Sequence, residues 1–184
     1  MADFRLDTER LTLRAWRDED IGPFQTICAD PRVMVSLGPV MTLAETAALV
    51  ARMQELQAGL GHCFWALERR ADARLLGWCG AIRGSAGPVA DKIEIGWRLA
   101  SDCWGQGYAS EAARATVGWC LAELPDDAVW AITNVDNHRS RSVMARLGMR
   151  HRPELDFDHP KVPEGDPLRP HVAYVLERPG RAAG

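Results

Sequence analysis

Two glycines spaced by one residue, set between an apolar run and a long helical pattern, are the part of this sequence best suited to chemistry. They lie in Trp104-Gly105-Gln106-Gly107-Tyr108-Ala109, a short spacer after residues 93–99. Glycine lets a backbone approach a ligand closely, the first N–H groups of a helix lack intrahelical acceptors, and the helix dipole adds partial positive charge there. The stretch therefore reads as an anion site, with a purely structural turn as the alternative. A Walker-type phosphate loop needs Lys and then Ser or Thr after its last glycine, whereas Gly107 is followed by Tyr108 and Ala109. A dinucleotide fingerprint needs an acid at the end of the next strand, and none ends the one at Thr133. A second group of titratable side chains, Asp156, Asp158, His159 and His171, shows no third ligand at metal spacing, so no metal is expected. Lining of a substrate cleft is its expected use.

The elements that must hold these residues can be read from periodicity. Residues 10–16 alternate polar and apolar and predict a half-buried strand; Asp18 then offers an N-cap for a helix through Ile21, Phe24 and Ile27, closed by Pro31. Thr42 with Glu45 three residues later predicts a capping box, opening a helix with Leu49, Val50, Met53, Leu56 and Leu60 on one side and Gly59 and Gly61 at its end. Residues 63–68 and 75–82 predict an antiparallel hairpin, the second strand being apolar on both faces as a central strand requires. Residues 93–99 form the next strand, and the clearest helical period in the chain follows, through Ala109, Ala112, Ala113, Thr116, Val117, Cys120 and Leu121. Residues 129–133 predict a strand and His138 a short helix with Ser140, Val143, Met144 and Leu147 on one face, stopped by Gly148. Two more strands, 149–157 and 171–177, bring the total to about seven. The expected fold is α/β (α+β): a mixed, mostly antiparallel central sheet with helices on both faces, formed as one domain over residues 1–184.

Composition narrows the partners. Hydrophobic residues make up 47% and charged residues 26%, as in ordinary soluble proteins, and Lys+Arg 22 against Asp+Glu 25 gives a net charge of −3, which argues against nucleic acid as the main ligand. The five cysteines, Cys28, Cys63, Cys79, Cys103 and Cys120, are odd in number, widely spaced and set mostly in apolar runs, the pattern of reduced core residues. With no charged-then-apolar leader and no run long enough to span a bilayer, a cytoplasmic protein without a membrane partner is expected.

The flanks of the glycine loop make it more specific. Ile93-Glu94-Ile95-Gly96-Trp97-Arg98-Leu99, a short spacer, the loop and then Ser110-Glu111-Ala112-Ala113 resemble the acetyl-coenzyme A motif of the GNAT N-acetyltransferase superfamily. Asn137-His138-Arg139-Ser140 leading to Leu147-Gly148-Met149 is similar to the Asn-x-x-Ser helix of the branch related to ribosomal-protein N-terminal alanine acetyltransferases. Thr8 to Arg14 and Asp18 resemble that branch too, so the likeness covers almost the whole chain. The resemblance implies the GNAT acyl-CoA N-acyltransferase fold, acetyl-CoA as cofactor and an amine acceptor, and leaves room for a homodimer. It implies that backbone groups of Trp97, Arg98 and Leu99 pair with the pantetheine arm, and that N–H groups of Gly105, Gln106, Gly107, Tyr108, Ala109 and Ser110 hold the pyrophosphate. It further implies cofactor contacts from Trp104, Asn137 and Arg139, with Ser140 near the thioester sulfur and able to protonate the departing thiolate. Met144 stands where many relatives carry a tyrosine acid, which leaves that task to Ser140 or water.

A protonated amine cannot attack a thioester. At pH 7 a lysine-like amine pays roughly 4.6 kcal/mol to become neutral and an N-terminal amine about 1 kcal/mol, so the acceptor decides how strong a base is needed. Glu94 interrupts an apolar alternation in the strand beside the cofactor and is the expected base, with Asp158, His159 and His171 as late-loop alternatives and an exposed, arginine-paired carboxylate as the structural reading. The expected activity is direct acetyl transfer to a primary amine in a ternary complex, the alternative being a non-catalytic acyl-CoA sensor. The acceptor stays open among a peptide N-terminus, a polyamine, an amino acid and an aminoglycoside.

Overall fold

The computed structural model describes residues 4–180. Five strands in consecutive antiparallel pairing form one side of its sheet: β1 (Arg5–Asp7) with β2 (Leu11–Arg14), then β3 (Phe64–Arg69), β4 (Arg74–Arg83) and β5 (Ile93–Leu99). On the other side β6 (Ala128–Asn134) pairs along its whole length with β9 (Pro170–Glu177), which also takes the short β7 (Arg150–His151) and β8 (Phe157–Asp158). The two sides meet where β5 runs parallel to β6, and there Glu94 with Trp130 is the single pair in register. Beyond Glu94 the strands diverge, leaving the edge of β5 from Ile95 to Leu99 without a ladder partner on that side.

The helices are α1 (Ile21–Cys28), α2 (Pro31–Met34), α3 (Leu43–Leu60), α4 (Tyr108–Glu123) and α5 (His138–Arg146). Successive residues of a strand point to opposite faces. On β4, Trp78 packs against Phe24 of α1 at 5.2 Å between ring centroids, while the next residue, Cys79, lies 3.5 Å from Thr116 of α4. Helices thus cover both faces, as expected.

The sheet has nine strands among the described residues rather than about seven. One is the added N-terminal β1. The other comes from residues 149–157, which form two short pieces because Pro153, unable to donate to a ladder, opens a 3-10 turn between them. Two helix boundaries also differ. Residues Asp18–Asp20 form a 3-10 turn, and Asp20 rather than Asp18 takes the Arg17 N–H at 2.9 Å. Pro31 opens α2 instead of closing α1, since at a first helical position its missing N–H costs nothing; Asp30 caps it by accepting from Arg32 N–H at 2.9 Å. The Thr42–Glu45 capping box is present, while α3 runs through Gly59 to Leu60 and ends at Gly61 with φ 77°.

The N-terminal strand is pinned by a buried guanidinium. Arg14 donates to both oxygens of Asp20 at 2.7 and 2.8 Å and to Glu68 at 2.8 Å, so its charge is fully matched. No helix is long and apolar enough to cross a membrane among the described residues, and all five cysteines are free and buried.

Candidate active site

The divergence of β5 and β6 opens a cavity of about 570 Å3. Its walls are the end of β5, the loop into α4, the first turn of α5, and α2 with the turn after it. Trp97, Arg98, Leu99, Trp104, Gly105, Gly107, Tyr108, Ala109, Ser110, Asn137, Arg139 and Ser140 all line it. Residues named from two separate sequence motifs are therefore brought to one place.

The glycine loop owes its shape to two left-handed residues, Gly105 at φ 77° and Gly107 at φ 83°. Gly107 occupies the N-cap of α4, so no side chain caps that helix. The N–H groups from Gly105 through Ser110 find no acceptor among the described residues; the first of the run to do so is Glu111, at Gly107 O, 3.0 Å away. Six consecutive free donors at a helix start are chemically suited to receive an anion. The N-terminal segment braces it. Glu111 accepts from Thr8 Oγ1 at 2.6 Å, Arg10 N at 2.9 Å and Arg10 Nε at 2.7 Å, while Arg10 Nη1 donates to Gln106 O at 3.0 Å. Gln106 is the one loop residue outside the cavity wall; its side chain ties back to Asp102 O at 3.1 Å.

The other named residues have distinct surroundings. Trp104 donates from its indole to Leu99 O at 3.1 Å, and the Arg139 guanidinium lies 4.3 Å from the centre of its ring. Asn137 caps α5, accepting from Ser140 N–H at 3.2 Å and donating to Thr133 Oγ1 at 3.0 Å. The Ser140 hydroxyl has no partner among the described residues, and Ser140 lines the cavity. Met144 is 1% exposed and belongs to the core, not to the site.

Glu94 lies outside the wall of this cavity, at the β5–β6 junction. Its carboxylate makes no hydrogen bond or ion pair among the described residues, so the arginine-paired reading does not hold. Burial pushes its pKa up to about 7, against the opposing pull of the Lys161 ammonium. Gly84 makes room for it: a Cβ there would stand 3.0 Å from Glu94 Oε2. The late loop sits nearby, with Lys161 Nζ 3.3 Å from Ser85 Oγ and the His159 and His171 rings 4.8 Å apart. Burial lowers the pKa of both histidines, and His171 with Asp158 borders a second, more open cavity of about 420 Å3. No three metal-ligating side chains converge among the described residues.

Sequence reasoning missed the wall built by Arg32, Val33, Val35, Ser36 and Leu37, along with Arg146 from α5. The Asp30-Pro31 pair was the available signal, a capped helix start read as a stop.

This geometry has relatives. The family model described as "Acetyltransferase (GNAT) domain" matches residues 10–150. The Bacillus subtilis protein YkkB is 30% identical over 151 residues, 82% of this chain and 87% of its own. An Aspergillus fumigatus FsC-acetyl coenzyme A-N(2)-transacetylase is 38% identical over 92 residues, 48% of this chain and 37% of its own. An acetyltransferase structure from Agrobacterium tumefaciens superposes with a TM-score of 0.78 at 25% identity, covering 96% of both chains. RimL, a ribosomal alpha-N-protein acetyltransferase solved with coenzyme A, shares the fold with a TM-score of 0.76 at 17% identity, covering 95% of this chain and 98% of its own. With a family model spanning residues 10–150 and a relative 30% identical over 82% of its length, the chain belongs to the GNAT acetyltransferase family.

Proposed function

We propose that the protein transfers an acetyl group from acetyl-coenzyme A to a primary amine by direct attack within a ternary complex. The observation that carries this reading is the run of six unpaired N–H groups from Gly105 to Ser110, opening into a cavity beside an unpaired strand edge. A pyrophosphate fits the first feature and an extended amide-bearing arm fits the second. Acetyl-coenzyme A has both parts, and supplies an activated thioester carbonyl.

In this reading the backbone of Trp97, Arg98 and Leu99 holds the pantetheine arm as an added strand, with the Leu99 carbonyl already steadied by Trp104. Arg139 and Trp104 form a stacked cation–aromatic pair at the phosphate end. Asn137 fixes the first turn of α5, which presents the Ser140 hydroxyl where it can donate a proton to the leaving sulfur. Glu94 accepts the proton from the attacking amine, directly or through one water, and its raised pKa suits that task near neutral pH. None of the cysteines serves as a nucleophile in this reading: all five are buried, and burial raises the pKa of every one. Five free, buried thiols also suit a reducing, cytoplasmic setting.

Thiol release from acetyl-coenzyme A, followed with and without a panel of amines, tests the proposal. Release that requires an amine is expected. Tight coenzyme A binding without release under any condition would instead identify a sensor domain.

A further inference from the structure

Two arginines in this molecule are drawn into the sheet, and they are treated in opposite ways. Arg14 spends its donors on two carboxylates. Arg98, which lines the main cavity, meets no carboxylate within ion-pair distance. Its Nη1 donates to two sulfurs, Cys28 Sγ at 3.1 Å and Met41 Sδ at 3.6 Å, and its guanidinium carbon lies 4.8 Å from the centre of the Trp78 ring. Its Nε is buried and has no hydrogen-bond partner among the described residues. Sulfur is a weak acceptor, and a buried donor left unmatched costs roughly 1–3 kcal/mol, more when charged. The Nε–Nη2 edge, the fork that binds a carboxylate side-on through two parallel bonds, is the part of Arg98 without a partner.

The position of Arg98 says which ligand would supply that partner. Glu94, Gly96 and Arg98 alternate onto one face of β5, and Gly96 adds no side chain between the other two; a Cβ there would stand 2.9 Å from the Phe64 ring. Four residues of strand set Glu94 and Arg98 about 13 Å apart at their α-carbons. If the proposed transferase reading holds, the cofactor's phosphates lie at the Gly105–Ser110 donors, and the arm passing Arg98 is a neutral chain of amides. The cofactor then leaves Arg98 unmatched. The rest of the cavity wall has the same sign: besides Arg139, assigned above to the cofactor, and Arg32, paired with Asp30 at 2.9 Å, it carries Arg146 and no acidic residue.

We propose that Arg98 is a specificity-determining residue of the acceptor site, and that the acceptor is an amine that also carries a carboxylate, such as an amino acid or an acidic peptide terminus. Its amine lies toward Glu94 and its carboxylate on the free edge of Arg98. Polyamines and aminoglycosides, which bring further positive charge to this guanidinium, are poor acceptors.

Initial rates of thiol release from acetyl-coenzyme A test this with glycine, β-alanine, 4-aminobutyrate and N-terminally glutamyl and aspartyl dipeptides. Each is run beside its carboxamide, and spermidine and kanamycin complete the panel. The expected result is a kcat/KM at least tenfold higher for the best carboxylate than for its carboxamide. Arg98→Met is expected to bring that ratio close to one, and Arg98→Lys, which keeps the charge but not the fork, to leave a ratio between the two. The ratio within each variant cancels differences in amine basicity, and the wild-type panel decides the matter even where Arg98→Met fails to fold. Uncharged or cationic amines as the best acceptors, or a ratio unmoved by Arg98→Met, overturn the proposal and leave the transferase reading intact. A carboxylate preference that appears only on the acyl donor, with succinyl-coenzyme A and an uncharged amine, overturns it equally. No release with any amine overturns both.

Discussion

Glu94 is a carboxylate that folding makes harder to ionise, and this has two consequences of opposite kind. Its pKa rises from an ordinary 4.5 to about 7 because burial disfavours the charged form. As a base it works only when deprotonated, so kcat/KM should climb with pH through about 7, and Glu94→Gln should abolish that limb and lower the rate 100-fold or more. A profile in which the Gln variant keeps both rate and limb removes Glu94 from the chemistry. For stability the sign runs the other way. A folded-state pKa above the unfolded one means that the ionised group is a cost, absent below about pH 4.5 and complete above about pH 7. Glu94→Gln should therefore leave Tm unchanged near pH 4 and raise it progressively toward pH 8, a trend that thermal melts at a series of pH values will show. Lys161 supplies a graded version: its charge holds the Glu94 pKa down, so Lys161→Gln should move the rate limb to higher pH without removing it. The role proposed for Ser140 concerns the other proton. A coenzyme A thiol of pKa near the ~8.5 of cysteine is already a fair leaving group, so Ser140→Ala should lower kcat about tenfold with little change in KM.

At the scale of elements, the start of α4 carries the most function on the fewest residues. Gly107 holds a left-handed conformation at φ 83°, and a Cβ there would meet only Arg10 Nη2, at 3.4 Å. Gly107→Ala should therefore cost about 1–2 kcal/mol through its backbone rather than through a clash. Because the loop amides turn with it, coenzyme A affinity should fall by more than global stability does, which calorimetry and denaturant unfolding measured side by side will separate. The helix itself was legible from its period of small residues, and the Thr42–Glu45 box from two residue types at one spacing; both are local signals. The turn into that helix was legible for the same reason, since a glycine pair before a helix is written within six residues. What local patterns do not carry is who meets whom across the sheet. Arg14 and Arg98 look alike in sequence, each an arginine in a strand, yet one meets Asp20 and Glu68 and the other meets two sulfurs. The same holds for the bracket of Thr8 and Arg10 on Glu111, about a hundred residues apart. Pro31 misled because its two meanings, helix stop and helix start, are told apart by the Asp30 side chain turning in to cap.

Across the described residues the apolar core falls into two clusters. One gathers residues from β2, β3 and β4 with α1 and α3; the other gathers residues of β5, β6 and β9 with Met144 of α5, and Trp97, Trp119 and Leu147 pack against both. The seam of the sheet lies within the second cluster, between β5 and β6, where Glu94–Trp130 is the single ladder pair, so beyond that point packing and not a ladder holds the two sides of the sheet together. A ligand lying in the divergence and bound by α4 and α5 as well as β5 would close the seam, and this makes coenzyme A a structural as well as a chemical partner. At a ligand concentration 100 times its dissociation constant the gain is about 2.7 kcal/mol, which for a chain of this size is roughly a 5–11 °C rise in Tm. Hydrogen exchange distinguishes seam closure from general tightening. Coenzyme A should slow exchange most at Trp97 through Leu99 and at Gly105 through Ser110, next at the first turn of α5, and least at β1 and the outer turns of α3. Protection spread evenly over the chain, or centred on the late-loop cavity around His171, would mean that the ligand sits elsewhere. With Gly107→Ala the loop amides should lose most of this protection at equal ligand occupancy while those of β5 keep theirs, because the two contacts depend on different elements.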